Sequence, residues 1–280
     1  MLAEVWHLSG ASSGPTVLIT AGIHGDEYEG PAAVAQVMQE LEAKPLRGTV
    51  IAIPVSNPMA WNAGTRLSPD DLLNLARIFP GNLEGLPTER LAAEIFAFAS
   101  EADYLIDLHS GGSDYLFLPL AGFYDEKSLE AARHFGLPVL WRLPETDGVL
   151  SCEFHRRGKT AIGCEYLGAG QLSRDGVEAY RRGILSCLAL WGLLPGETPL
   201  APGGEPFTGD WMLAEAIGQF FAETELGDLV EPGRLLATIR DIRGDVLQSF
   251  VAPHAGIVLA IRSKAYIRSG DWGILVATHA

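Results

Sequence analysis

His24-Gly25-Asp26-Glu27 directly follows the apolar run Val17-Leu18-Ile19-Thr20-Ala21-Gly22-Ile23, and a second run, Tyr104-Leu105-Ile106, ends in Asp107-Leu108-His109. Two imidazoles and a carboxylate, each placed where a strand would end, match the three protein ligands of an open catalytic zinc site. Three ligands leave a coordination position for water, and zinc makes water able to attack an amide or ester at neutral pH. Taken singly, His24 reads as a turn histidine, Glu27 as a solvated helix start and His109 as a structural residue. Their joint occurrence after two separate strands, amid Gly22, Gly25, Gly111 and Gly112, favours a metal site. Asp26 and Glu29 compete for the carboxylate role. Asp107 is expected on the opposite side of its strand from His109, where it either holds a histidine ring or serves the backbone.

Such a site needs elements to carry it, and the chain is long enough to build them. Its 280 residues suffice for one large domain or two smaller ones. Hydrophobic residues at 48% and charged residues at 20% describe a folded, soluble protein. The formal net charge of −15 argues against nucleic acid and against an anionic membrane surface. It leaves room for a small anionic substrate, since a few arginines set the field inside a cleft. No apolar stretch approaches a membrane span. The N-terminus lacks the basic and apolar regions of a secretory signal. Cys152, Cys164 and Cys187 are odd in number and form no CxxC, so a reducing cytoplasm is expected.

Short apolar runs alternate with helical patterns over the first two-thirds. Strands are expected at 16–20, 49–53, 103–107, 137–142 and 160–165. Helices are expected at 27–43, 88–100, 126–135 and 174–193, with Thr88 and Ser173 as N-caps. This predicts an α/β fold, a mixed, mostly parallel sheet sandwiched by helices. Active sites of such sheets gather beyond the carboxyl ends of the strands. His24, Glu27, His109 and Glu165 all fall there. Between Leu194 and Phe207 the Pro/Gly-rich composition reads as a linker. Beyond it, short β-like runs at 211–214, 218–222, 235–239, 246–252, 256–261 and 274–277 predict a small all-β module. The expected division is a catalytic domain over 1–198 and a C-terminal β domain over 199–280.

The motifs together resemble one family. Ala21-Gly22-Ile23-His24-Gly25-Asp26-Glu27, Asn57-Pro58-Met59-Ala60, Gly64-Thr65-Arg66, Ala76-Arg77-Ile78-Phe79-Pro80-Gly81 and Asp107-Leu108-His109-Ser110-Gly111 occur in the order and spacing of the succinylglutamate desuccinylase/aspartoacylase family. These are zinc hydrolases related to metallocarboxypeptidases. The match spans most of residues 16–170. The glycine-rich tail, with Ala252-Pro253-His254-Ala255-Gly256, resembles that family's C-terminal domain, which is barrel-sandwich-like.

The resemblance implies one zinc ion per chain, held by His24, Glu27 and His109. It places Glu165, in Gly163-Cys164-Glu165-Tyr166-Leu167-Gly168, as the general acid/base, with Glu153 as the fallback. It places Arg66 beside the tetrahedral oxyanion and Arg77 on the substrate carboxylate, both suited to a planar guanidinium. One departure stands out. Many relatives carry an Asn-Arg pair before Phe-Pro-Gly, whereas this chain has Ala76-Arg77; either Asn74, two residues before Ala76, substitutes as the substrate-binding amide, or Arg77 grips the carboxylate alone.

Among smaller signals, Cys164 and Cys187 read as core residues, and Cys152 and His155 flank Glu153 in a loop-like segment. Tyr166 reads equally as a substrate contact or a core tyrosine, and His254 as a turn residue. The tail resembles biotin- and lipoate-carrying modules, but Lys264 lacks the usual flanking pattern, so no covalent cofactor is expected. The tail is expected to cover the active-site mouth or make an oligomer contact.

The leading functional expectation is a zinc-dependent hydrolase cleaving the amide of a small, carboxylate-bearing N-acyl amino acid or related acyl-amine, with no nucleic-acid or membrane partner and with homo-oligomerisation open. A metallocarboxypeptidase or esterase on the same site is the alternative. A non-catalytic metal-binding or assembly protein is the contrasting class.

Overall fold

Three strands buried on both faces carry the site. β1 (Trp6–Ser9), β2 (Ser12–Thr20), β3 (Arg47–Ile53), β4 (Tyr104–Leu108), β5 (Tyr115–Phe123), β6 (Val139–Arg142) and β7 (Thr160–Gly168) are interleaved with α1 (Glu29–Leu41), α2 (Pro58–Ala63), α3 (Pro87–Glu101), α4 (Glu126–Phe135), α5 (Leu150–His155) and α6 (Arg174–Leu190). A computed structural model describes residues 3–196 and 204–280 of the chain. Residues along β2, β3, β4 and β7 divide between two cores by strict alternation. Val17, Ile19, Val50, Ala52, Ile106 and Ile162 enter one core, with apolar faces of α1, α4 and α6. Leu18, Ile51, Ile53, Leu105 and Ala161 enter the other, with α3 and α5. Burial on both sides explains why these strands read as unbroken apolar runs.

β3/β2, β2/β4 and β4/β7 pair in parallel, as does β5/β6, whereas β1/β3 and β5/β7 are antiparallel. The sheet is therefore mixed, and the five expected strands lie within or overlap observed ones. β5 was not expected. Pro119 and Gly122 interrupt its pattern, and its register with β7 slips between Phe117 and Leu120. α2 escapes the periodicity because it is short; Asn57 caps it, accepting from the Ala60 amide at 3.1 Å. α5 replaces the expected loop around Cys152, Glu153 and His155.

The helices match with shifts at their ends. The 27–43 helix begins at Glu29, leaving Glu27 in the preceding turn. Ser173 caps α6, accepting from the Gly176 amide at 3.1 Å. Thr88 is not a cap. Pro87 takes the first helical position, and Thr88 instead donates its N–H and hydroxyl to Asp71 at 2.9 and 2.8 Å. No helix among the described residues is long and apolar enough to cross a membrane.

The C-terminal region is rich in strands: β8 (Phe207–Leu213), β9 (Gly218–Ala222), β10 (Leu229–Val230), β11 (Leu235–Arg240), β12 (Val246–Val251), β13 (Gly256–Arg262), β14 (Tyr266–Ile267) and β15 (Trp272–His279). β8, β15, β13 and β10 continue the main sheet past β6, and β13 also pairs with β5 through Ala260↔Phe117. β12, β11, β9 and β14 form a second, four-stranded sheet. A core of its own, including Phe220, Leu236, Ile239, Phe250, Val258 and Ile274, unites strands of both sheets. The expected linker falls largely on 197–203, and the 198/199 boundary with it, outside the described residues.

The turn after β2 is held tightly. Gly22 adopts φ +59°, and the Gly25 amide donates to the Thr65 carbonyl at 2.9 Å. A Cβ at Gly25 would lie 2.0 Å from the carbonyl carbon and oxygen of Ala60. Gly25→Ala is therefore expected to cost about 1–3 kcal/mol of stability, as overpacking does, measured by urea unfolding. An unchanged midpoint would mean that this approach is not a constraint.

Candidate active site

His24 and Glu27 face one point from the turn after β2, and His109 meets them from the residue after β4. Glu27 Oε1 lies 2.7 Å from His24 Nδ1, and Glu27 Oε2 lies 3.0 Å from His109 Nδ1. The three donor atoms fall within 4.8 Å of one another. His24 and Glu27 are buried, each 2% exposed, so they meet largely out of solvent. Asp26 and Glu29 are committed elsewhere. Asp26 Oδ2 accepts from the amide and hydroxyl of Ser113 at 2.8 and 2.7 Å, and Glu29 Oε1 accepts from the Ser173 amide at 2.9 Å.

The outer nitrogen of each ring also faces an acceptor. Asn74 Oδ1 lies 3.0 Å from His24 Nε2 and accepts the Ala76 amide at 3.0 Å, which identifies it as the oxygen. Asp107 Oδ2 lies 3.3 Å from His109 Nε2, and its Oδ1 accepts from the Thr20 hydroxyl at 2.7 Å. Asp107 thus shares a side with His109, correcting the expectation that it points away; residues two apart on a strand share a face. A neutral imidazole has one N–H. With that proton on Nε2, each Nδ1 presents a lone pair to a carboxylate oxygen. Lone pairs facing at 2.7 and 3.0 Å require a cation between them, either a proton or a metal ion. The residues present therefore fit a metal.

The electrostatics follow from this crowding. Burial pushes the Glu27 carboxyl up, but the charges and hydrogen bonds of His24 and His109 outweigh it and hold it well below the carboxylate range. Burial, then Arg66, lowers His24, so that ring is neutral. Burial lowers His109 as well, but Asp107 and Glu27 overcome it and raise His109 well above the usual imidazole value. Arg66 Nη1 stands 3.3 Å from His24 Nδ1 and 3.4 Å from Glu27 Oε1.

Glu165 on β7 lines the same cavity, which measures about 190 Å³ and is also lined by Arg66, Ala76 and Arg77. Its Oε2 is buried without a hydrogen-bond partner among the described residues. Burial first, then the charge of Glu27, pushes the Glu165 carboxyl up to about 8. A cation on the three donors would oppose that rise. Arg77 donates to the Ala76 carbonyl at 2.9 Å, and its guanidinium lies 5.4 Å from the centre of the Trp272 ring. Glu153 does not line the cavity and bonds Arg156 and Arg157. Asn74 sits behind His24 rather than on the cavity wall, with its amide oxygen committed twice.

Sequence reasoning missed most of the remaining wall: Tyr115, Phe117, Trp141, Trp211 and Trp272. Trp211 and Trp272 come from the tail, and the alternation of its apolar runs was their only local signal. Tyr166 is not on the wall; it packs edge-on to Tyr180 at 5.9 Å. Tyr180 in turn donates its hydroxyl to the His109 carbonyl at 2.6 Å, steadying the end of β4.

The model of the succinylglutamate desuccinylase/aspartoacylase catalytic domain matches residues 13–191. The chain belongs to this family. Among similar proteins, it is 32% identical to the N-alpha-acetyl-L-2,4-diaminobutyric acid deacetylase of Halomonas elongata, over 94% of this chain and 82% of that protein. The crystal structure of a succinylglutamate desuccinylase/aspartoacylase from Rhodobacter sphaeroides matches at TM-score 0.89 and 28% identity, covering 99% of this chain and 90% of that one. The product-bound ectoine utilization protein EutE (DoeB) from Ruegeria pomeroyi matches at TM-score 0.87 and 30% identity, covering 98% and 88%. Members of the family with named activities are deacylases of small acylated amino acids.

Metal capture must displace the His109 proton, because a ligating nitrogen needs its lone pair. Glu27 is already ionised and His24 already neutral. Metal affinity is therefore expected to fall by about tenfold per pH unit below the raised His109 value, read by chelator competition at several pH values. An affinity independent of pH across that window would contradict this protonation scheme.

Proposed function

We propose that this chain is a zinc-dependent hydrolase that cleaves the amide of a small N-acyl amino acid or related acyl-amine. The observation that carries the reading is the convergence of His24, Glu27 and His109 beside a cavity lined by His24, His109 and Glu165. The His2Glu donor set suits zinc. Zinc held there would polarise the acyl carbonyl and acidify a water molecule.

The chain's own residues would do the rest. Glu165 accepts a proton from the attacking water and delivers one to the departing amine nitrogen; its environment holds its proton affinity near the range such a shuttle needs. The Arg66 guanidinium, beside the ligand atoms, offers N–H donors to the oxygen that gains charge. Arg77 grips the substrate carboxylate alone, because Ala76 brings no amide and Asn74 is engaged with His24. Asn74 and Asp107 act as positioning residues that keep each Nε2 protonated and each Nδ1 free. Residues 199–280 are read as a C-terminal β part that lends Trp211 and Trp272 to a catalytic part over residues 1–198. A reducing cytoplasm suits three cysteines that are all buried and unpaired.

Protein stripped with a chelator is expected to release no amine from N-acetyl, N-formyl or N-succinyl amino acids, and to recover when zinc is returned. Glu165→Gln is expected to lower kcat by about 10²–10⁴-fold with zinc content unchanged. Near-normal turnover by that variant would remove Glu165 from the proton-transfer role. Zinc binding without hydrolysis of any amide would leave a metal-binding protein instead.

A further inference from the structure

Much of the cavity wall is aromatic and apolar, formed by Tyr115, Phe117, Leu120, Trp141, Trp211 and Trp272. Trp211 and Trp272 stack at 4.8 Å with 12° between planes, and Tyr115 packs against them at 5.4 and 5.8 Å. Tyr115, Phe117, Leu120 and Trp141 are buried. The wall is thus a preformed surface rather than a set of mobile side chains. The cavity, at about 190 Å³, far exceeds the roughly 10–15 Å³ that one water needs.

Its charges are equally one-sided. Among the described residues, the carboxylates, imidazoles and guanidiniums lining it belong to His24, His109, Asp107, Glu165, Arg66 and Arg77. Asp107 is held by His109 and Thr20, and Glu165 is the proposed proton shuttle. That leaves two guanidiniums and no spare carboxylate. Two of the rings that could cradle an ammonium already carry guanidiniums. Arg77 lies 5.4 Å from the centre of Trp272, Arg66 lies 5.7 Å from that of Tyr115, and Arg262 lies 5.8 Å from Tyr115 as well. The hydroxyls of Tyr124 and Ser151, also on the wall, bond each other at 3.0 Å. A cationic substrate side chain entering this space would lose water and meet like charge. An alkyl or aryl group would bury apolar surface against the rings.

We infer, resting on the deacylase reading, that the substrate carries a bulky uncharged apolar group, alkyl or aryl, together with its carboxylate. A second amine, as in acetylated diaminobutyric acid, is disfavoured. The group can belong to the amine half or to the acyl half, and the same chemistry would recognise it in either.

The zinc-loaded full chain is assayed on four compounds: N-acetyl-L-phenylalanine, N-benzoylglycine, N-acetylglycine and Nα-acetyl-L-2,4-diaminobutyrate. At least one aryl compound is expected to exceed both others by about tenfold or more in kcat/KM. Preference for the phenylalanine derivative assigns the group to the amine half; preference for the benzoyl compound assigns it to the acyl half. Trp211→Ala is expected to narrow the ratio of the favoured aryl compound to N-acetylglycine by about tenfold. Because both substrates are read on one preparation, partial misfolding cancels from the ratio. If the diaminobutyrate or glycine derivative is cleaved faster than both aryl compounds, or Trp211→Ala leaves the ratio unchanged, the inference is overturned and the deacylase reading stands. If none of the four is cleaved but an N-formyl or N-succinyl amino acid is, the inference falls and the deacylase reading stands; if no amide is cleaved at all, both fall.

Discussion

Glu27 lies between two imidazoles whose outer nitrogens already face acceptors, Asn74 on one side and Asp107 on the other. That arrangement leaves lone pairs directed at one another in a site largely removed from water. Separating buried charge from its partner costs several kcal/mol, so the cluster is satisfied only when a cation sits among the three donors. The same closeness lets Asp107 and Glu27 raise His109 against the effect of burial, while His24 and His109 hold Glu27 low. Burial first, and then the charge of Glu27, keep Glu165 protonated to higher pH than an ordinary carboxyl.

The fold supplies this geometry through strand ends. β2 and β4 pair in parallel with Thr20 opposite Asp107, so the turn carrying His24 and the residue His109 emerge side by side. The Thr20–Asp107 hydrogen bond at 2.7 Å then aligns the carboxylate that orients His109. From the next strand, β7 presents Glu165, and the antiparallel β5 beyond it contributes Tyr115 and Phe117. β13 pairs with β5, which brings β15 and β8, and with them Trp272 and Trp211, over the same cavity. The aromatic wall is therefore a consequence of sheet order.

Much of this was legible in the residues. Val17–Ile19, Leu105–Ile106 and Ala161–Ile162 announce strands because both faces of each are buried, and the helices covering them show plain amphipathic spacing. The ligand candidates stood out because histidine and carboxylate at two strand ends have few other uses. The pattern alone left Glu27 level with Asp26 and Glu29, since choosing among them depends on Ser113 and Ser173, far off in the chain. The contact between Asn74 and His24 has no signal in the sequence, because His24 lies fifty residues earlier. β5 is hidden by Pro119 at its bulge and Gly122 beyond it, and with it the connection that draws the tail tryptophans into the site. Long-range pairing, rather than local propensity, decided each of these.

His24 Nδ1, His109 Nδ1 and a Glu27 oxygen are the atoms that would hold a metal ion. Anomalous scattering at the zinc edge from zinc-loaded crystals tests this directly. One peak is expected, at about 2.0–2.2 Å from His24 Nδ1, His109 Nδ1 and a Glu27 oxygen, with Asn74 and Asp107 still on the Nε2 atoms. A peak bound through Nε2, or one held by other side chains, would contradict it.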